Sequence, residues 1–178
     1  MTVYVALLRG VNVGGHNKLP MATLRALATQ CGFADVQTYI QSGNTVFSSR
    51  LGAAKVATTL HDAILAECGI DSRVVIRTGP DLAAVVVRNP FLVRGTDPKL
   101  HHVAFMYPES APTLDAVDPQ FYAPDEVEVV GTDAYLLTPS GVGQSKLATE
   151  TTMRRLGIAG TVRNWRTVTT LAEMATAG

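Results

Sequence analysis

Eleven residues carry the chemistry that this chain can offer a ligand. Six lie in Leu7–Pro20, LLRGVNVGGHNKLP, where an apolar run ends in Arg9 and a polar loop follows with Asn12, Gly14, Gly15, Asn17 and Lys18. Backbone N–H groups exposed in such a turn, next to a helix start and a lysine, suit an anion. A second stretch, Pro139–Lys146 (PSGVGQSK), repeats that local grammar with Ser145 and Lys146. Gln41 and Asn44 flank Gly43 in QSGN, and Arg163 precedes Asn164-Trp165. An arginine grips an oxyanion with two parallel bonds, and the amides add neutral hydrogen bonds. The expectation is a groove for a phosphate-bearing small molecule or nucleotide between the two glycine loops, with Arg9, Lys18, Lys146 and Arg163 supplying charge. Glycine turns are also the simplest strand-to-helix connection, so each loop alone has a purely structural explanation. Arg9 leaves the end of a buried strand, so its stem is expected to be packed and its guanidinium aimed at the site.

Neither loop is a Walker A or a GxGxxG motif. No Ser/His/Asp order or activated cysteine stands out, and His16 is the lone candidate base near the first loop, so an enzyme with unknown catalytic residues stays a separate hypothesis. His101 and His102 are adjacent, and on a strand they point to opposite faces and do not share a metal. No metal set and no particular cofactor are indicated. The third hypothesis is a nucleic-acid or protein interaction module, with Tyr39 and Phe47 as platforms. The neutral total, 15 basic against 15 acidic residues, does not favour broad nucleic-acid binding. The charge is nevertheless uneven: Glu109–Asp133 holds seven acids and no Lys or Arg, while from Lys146 onward five basic residues face two acids.

The elements that must hold these residues follow from periodicity. Val3–Leu8 reads as a buried strand, and Met21, Leu24, Leu27, Ala28 and Cys31 recur at helical spacing up to Gly32. Val36–Ile40 and Thr45–Ser48 form a hairpin, Val56–Cys68 a helix, and Ser72–Arg77 a strand. Pro80–Arg88 is a short helix, and Asn89–Lys99 connects two halves. His101–Tyr107 is a strand, Asp115–Tyr122 a poor helix, and Glu126–Val130 with Ala134–Thr138 a hairpin about Gly131-Thr132-Asp133. A helix from Ser145 to Leu156, a short strand Thr161–Arg163 and a last helix capped by Asn164 complete the chain. The fold class is therefore α+β, two ferredoxin-like βαββαβ subdomains with antiparallel sheets, over residues 1–88 and 89–178. The second half echoes the first in architecture, without a residue-level repeat.

A hydrophobic fraction of 47% suits a packed core, and no apolar run is long enough to span a bilayer. The start reads as a strand and not as a signal peptide. Cys31 and Cys68 each precede a glycine at a helix end and read as reduced thiols of a cytoplasmic protein. Oligomeric state is open.

The motifs LLRGVNVGGHNKLPM, TYIQSGN, SKL and TVRNWRTV resemble the bacterial family known as domain of unknown function 1697. The resemblance covers essentially the whole chain. It implies a small cytoplasmic protein of two α+β subdomains and supplies no activity, because the family has none established. It carries Arg9, Asn12, Gly14, Gly15, Asn17, Lys18, Tyr39, Gln41, Ser42, Gly43, Asn44, Ser145, Lys146, Arg163, Asn164 and Trp165 onto motif positions. The chain departs at His16, where the family more often has lysine.

Overall fold

A computed structural model describes residues 1–177. The first strands and helices are β1 (Thr2–Leu8), α1 (Met21–Gln30), β2 (Ala34–Tyr39), β3 (Asn44–Ser49), α2 (Ala53–Cys68) and β4 (Val74–Thr78). The chain continues through α3 (Gly79–Val87), α4 (Pro90–Val93), β5 (His101–Met106), α5 (Pro119–Tyr122), β6 (Glu126–Val130), β7 (Asp133–Leu137), α6 (Glu150–Arg155), β8 (Gly160–Asn164) and α7 (Trp165–Thr176). The architecture is mixed α and β, with two four-stranded antiparallel sheets ordered β2-β3-β1-β4 and β6-β7-β5-β8. Two compact units result: Met1–Ala84 with the chain from Thr170, and Val85–Thr169.

In the first unit, Tyr4, Ala6 and Leu8 of β1 point to one face and pack with Leu24, Leu27 and Ala28 of α1 and Val56, Leu60 and Ile64 of α2. Each such leucine or isoleucine contributes about 1.5–3 kcal/mol by leaving water. Phe33 stacks on Phe47 at 4.4 Å between ring centroids. Val5, Leu7 and Val75 on the opposite face are buried as well, so β1 reads as a continuous apolar run and not as an alternation. α2 stops at Gly69, whose φ of +66° lets its N–H return to the Leu65 carbonyl. The second unit repeats the arrangement with Ala104, Met106, Leu136, Leu147, Met153 and Leu156 in one cluster.

Two helices differ from the periodic reading. The one expected over Ser145–Leu156 is reduced to α6, because side chains cap the chain twice before it: the Ser145 Oγ accepts from the Ala148 N–H at 2.9 Å and the Thr149 Oγ1 from the Thr152 N–H at 3.3 Å. The one expected over Asp115–Tyr122 is a 3-10 turn, Leu114–Ala116, followed by α5. Asp118 precedes Pro119, which keeps it out of the helical region (ψ 124°), and there it becomes the N-cap of α5. The second hairpin turns on Gly131-Thr132 alone, since Asp133 already pairs with Val130.

Candidate functional site

The opening loop closes on itself. Val13 bridges His16, and Gly14 and Gly15 between them have φ of +57° and +79°, the type I′ pattern that requires positive φ twice. Asn12 and Asn17, at φ +54° and +49°, sit in the left-handed region that asparagine tolerates. The Asn12 N–H donates to the Asn17 carbonyl at 3.0 Å, and the Asn17 amide donates to the Gly10 carbonyl at 2.9 Å. The Asn12 side chain makes three bonds. Its Nδ2 donates to the Leu19 carbonyl (2.8 Å) and the Gln41 carbonyl (2.7 Å), and its Oδ1 accepts from the Leu19 N–H (2.8 Å).

The Gln41 contact joins the loop to the β2–β3 hairpin. Tyr39 pairs with Asn44, leaving Ile40–Gly43 as the tip. Asn44 is fully buried, and its Nδ2 donates to the Tyr39 carbonyl (3.1 Å) and the Ser42 Oγ (2.8 Å). Gly43, at φ +73°, accepts from the Leu8 N–H at 3.0 Å; a Cβ there would lie 2.6 Å from Val11 Cγ2 and 2.8 Å from Leu8 Cβ. Two polar clusters that are separate in sequence are thus one surface of the first unit. The candidate residues divide on it. Asn12, Asn17 and Asn44 direct their amides at the backbone and set its shape, while Arg9, Gly14, Gly15, His16, Lys18 and Gln41 are exposed. Arg9 differs from the packed stem expected of it: it is exposed, and its backbone ties to the segment just before β4, its N–H donating to the Arg73 carbonyl (3.1 Å) and its carbonyl accepting from the Ser72 hydroxyl (2.8 Å).

Reading the sequence missed the two apolar residues on this surface, Val13 and Ile40, which are 64% and 48% exposed. Ile40 also holds φ +48°, a conformation that a β-branched side chain resists. No residue pattern announces it.

Ser145, Lys146 and Arg163 belong to the second unit. The Pro139–Lys146 stretch is a chain of turns, with Gly141 N–H to Thr138 O, Gln144 N–H to Gly141 O and Ser145 N–H to Val142 O. Lys146 is exposed and places its Nζ 5.4 Å from the centre of the Phe121 ring, a cation–π contact. Arg163 lies within β8, 8% exposed, and its Nη1 donates to Thr161 Oγ1 (2.7 Å) and the Val162 carbonyl (2.9 Å). Burial pulls its guanidinium down to about 10, with Tyr107 pulling the other way.

A buried network beside these residues explains one histidine. His101 is 1% exposed, with Nδ1 3.2 Å from Asn89 Nδ2 and Nε2 2.7 Å from Thr96 Oγ1. The Thr96 hydroxyl donates to the Phe91 carbonyl (2.9 Å), so it accepts from Nε2–H, and Nδ1 accepts from Asn89. This is a neutral imidazole, and burial lowers its pKa. His102, on the opposite face, is lowered by burial too. Among the described residues no group of three His, Cys, Asp or Glu is placed to hold a metal ion, and no helix is long and apolar enough to cross a membrane.

Fold and loops together define a protein of two four-stranded sheets with helices, in whose first unit two strand connections make one polar surface. The chain belongs to the family described as protein of unknown function, DUF1697, whose model matches residues 1–135. The SKL and TVRNWRTV motifs lie beyond the matched span. Among solved structures, the chain is similar to the conserved bacterial protein SP0830 from Streptococcus pneumoniae, at 22% identity and a TM-score of 0.76, covering 99% of each chain. That likeness speaks for the fold. No curated protein matches the chain.

Proposed function

We propose that the first unit binds a phosphate-bearing small molecule or nucleotide on the surface made by the opening loop and the β2–β3 hairpin. The observation that carries this reading is the Asn12 clamp, which fastens two polar turns 29 residues apart in sequence into one preorganised surface. The N–H groups of Gly14 and Gly15 make no hydrogen bond among the described residues, and His16 and Lys18 form no ion pair there. Two free N–H groups on a tight turn, with a lysine three residues on, are an anion-accepting arrangement. In this reading Arg9, Gly14, Gly15, Lys18 and Gln41 meet the ligand, while Asn12, Asn17 and Asn44 hold the surface in shape.

The strand order supports a ferredoxin-like plan for both units. The free Cys31 and Cys68 suit a cytoplasmic protein. The exposed Val13 and the strained, exposed Ile40 favour a second reading, in which the same surface docks another macromolecule.

A thermal-shift series with inorganic phosphate, sugar phosphates and nucleotides, run on wild type, Lys18→Ala and Arg9→Lys, tests the first reading. It expects a ligand-dependent rise in wild type that is reduced in both variants. Absence of any rise in wild type at millimolar ligand would overturn it. Steep salt dependence with an oligonucleotide would move the assignment to the second reading.

A further inference from the structure

We propose that the second unit carries its own site, a groove at the start of α7 for a phosphorylated aromatic small molecule of the nucleoside monophosphate class. The groove is open to solvent, has a volume of about 350 Å³ and is lined by Pro98, Lys99, Asn164, Trp165, Arg166 and Thr169. All six belong to the second unit, so the groove is independent of the surface assigned above. Its volume falls in the range of small-ligand sites.

The walls are held before anything binds. Asp97 Oδ1 accepts from the Lys99 N–H at 2.9 Å and fixes the Pro98–Leu100 turn. Asn164 Oδ1 accepts from the Thr167 N–H at 2.8 Å and caps α7. Trp165 meets His101 edge-on at 6.2 Å, and His101 is itself locked by Asn89 and Thr96. A groove with fixed walls loses little entropy when it is filled.

The lining divides into two chemistries. Pro98 and the small exposed part of Trp165, which is 7% exposed, supply apolar wall, which suits contact with a base or other aromatic ring. Lys99 and Arg166 are exposed cations, and neither forms an ion pair among the described residues. Arg166 offers a fork for two phosphate oxygens and Lys99 a point charge, so the phosphate of the ligand sits between them and its ring lies along the apolar wall. The one carboxylate on this turn, Asp97, is engaged with the backbone of Lys99.

Trp165 is the only tryptophan in the chain, so its fluorescence reads this groove directly. AMP titrated into the wild-type protein should change the emission saturably. Adenosine and inorganic phosphate alone should bind more weakly. The double variant Lys99→Ala/Arg166→Ala should weaken AMP by about tenfold or more, and the milder Arg166→Lys by a few-fold, the cost of losing charged hydrogen bonds. Lys18→Ala should leave the titration unchanged, which separates this groove from the first unit's surface. A wild-type emission that does not respond to millimolar AMP overturns the proposal. So does equal AMP affinity in wild type and a folded Arg166→Lys, equal affinity for adenosine and AMP, or a response abolished by Lys18→Ala.

Discussion

The opening loop and the Pro139–Lys146 loop look alike as sequence and are built differently. The first leaves β1, the first strand of its unit in chain order; the second leaves β7, the third strand of its own unit in chain order. First and third strands run antiparallel in both sheets, so the two loops stand at opposite ends of the common plan. The first is a closed I′ turn clamped by side-chain amides. The second is a run of overlapping turns ending in a serine cap. Shared glycines and a shared lysine therefore do not make two loops equivalent. What repeats between the units is elsewhere: Val5 pairs with Arg77 and Val103 with Arg163, both arginines are buried, and a capping residue follows each, Thr78 before α3 and Asn164 before α7.

That alignment of the two sheets yields the largest predicted effect. Gly160, opposite Met106, corresponds to Val74, opposite Leu8. One unit accepts a β-branched residue where the other accepts none, because a Cβ on Gly160 would lie 2.0 Å from the Phe105 carbonyl oxygen. Gly160→Ala should cost more than about 3 kcal/mol, the upper range for a backbone clash. Urea denaturation measures it, and an unchanged midpoint would mean that β8 is not seated on Phe105 as described.

The loops themselves are separated by the next pair of substitutions. Asn12→Ala removes three hydrogen bonds and leaves a residue at φ +54° that alanine disfavours, so about 2–3 kcal/mol should be lost. Ser145→Ala removes one bond to the Ala148 N–H and should cost about 1 kcal/mol. Equal losses in the two variants would break the distinction between a clamped loop and a capped turn.

Acid should act on the second unit first. His101 and His102 are buried and neutral, with pKa values lowered from 6.5 in the unfolded chain. Below pH 6.5 the unfolded state binds protons that the folded state does not, so stability falls as pH falls. The slope approaches about 1.4 kcal/mol per pH unit for each histidine until its folded pKa is reached. In the first unit His61 works in the opposite direction, since hydrogen bonds to Asp71 (2.9 Å) and Asp62 (3.0 Å) raise its pKa. Its contribution is present below pH 6.5 and is lost as pH rises through the raised value. Histidine C–H resonances followed from pH 8 to pH 5 distinguish the two classes; a normal titration of His101 in the folded state would refute the buried assignment.

Much of this arrangement was legible in the chain. Apolar spacing in Val56, Leu60 and Ile64, glycine at helix ends, and Asn164 as a cap are local signals, and the elements follow them. The polar motifs were visible too, but their roles were not. Asn12 and Asn44 look like ligand donors in sequence, and their amides turn out to bond to backbone carbonyls that only folding brings within reach. Arg163 reads in sequence as a candidate site cation, and its burial in β8 opposite Val103 depends on a strand register that spacing does not show. The capping that shortens α6 is a competition between Ser145, Thr149 and the backbone, which hydrophobic spacing does not register.

The smallest effect bears on the two hairpin tips. The second unit turns on Gly131, where φ +61° costs nothing, whereas the first unit places Ile40 at φ +48°. Left-handed backbone costs a β-branched residue about 1–2 kcal/mol. Glycine would remove that strain but bring about 0.5–1 kcal/mol of extra unfolded-state entropy. Ile40→Gly should therefore leave the protein as stable as wild type or more stable by roughly 0.5–1 kcal/mol, although it deletes a whole side chain. Ile40 is 48% exposed, so little packing is lost in exchange. Chemical denaturation of the variant decides the matter. A loss above about 1 kcal/mol would show that Ile40 anchors the hairpin. A stability gain shows that the chain holds a strained apolar residue on the surface shaped by Asn12 for a reason other than folding, and binding at that surface is then the property to measure in the same variant.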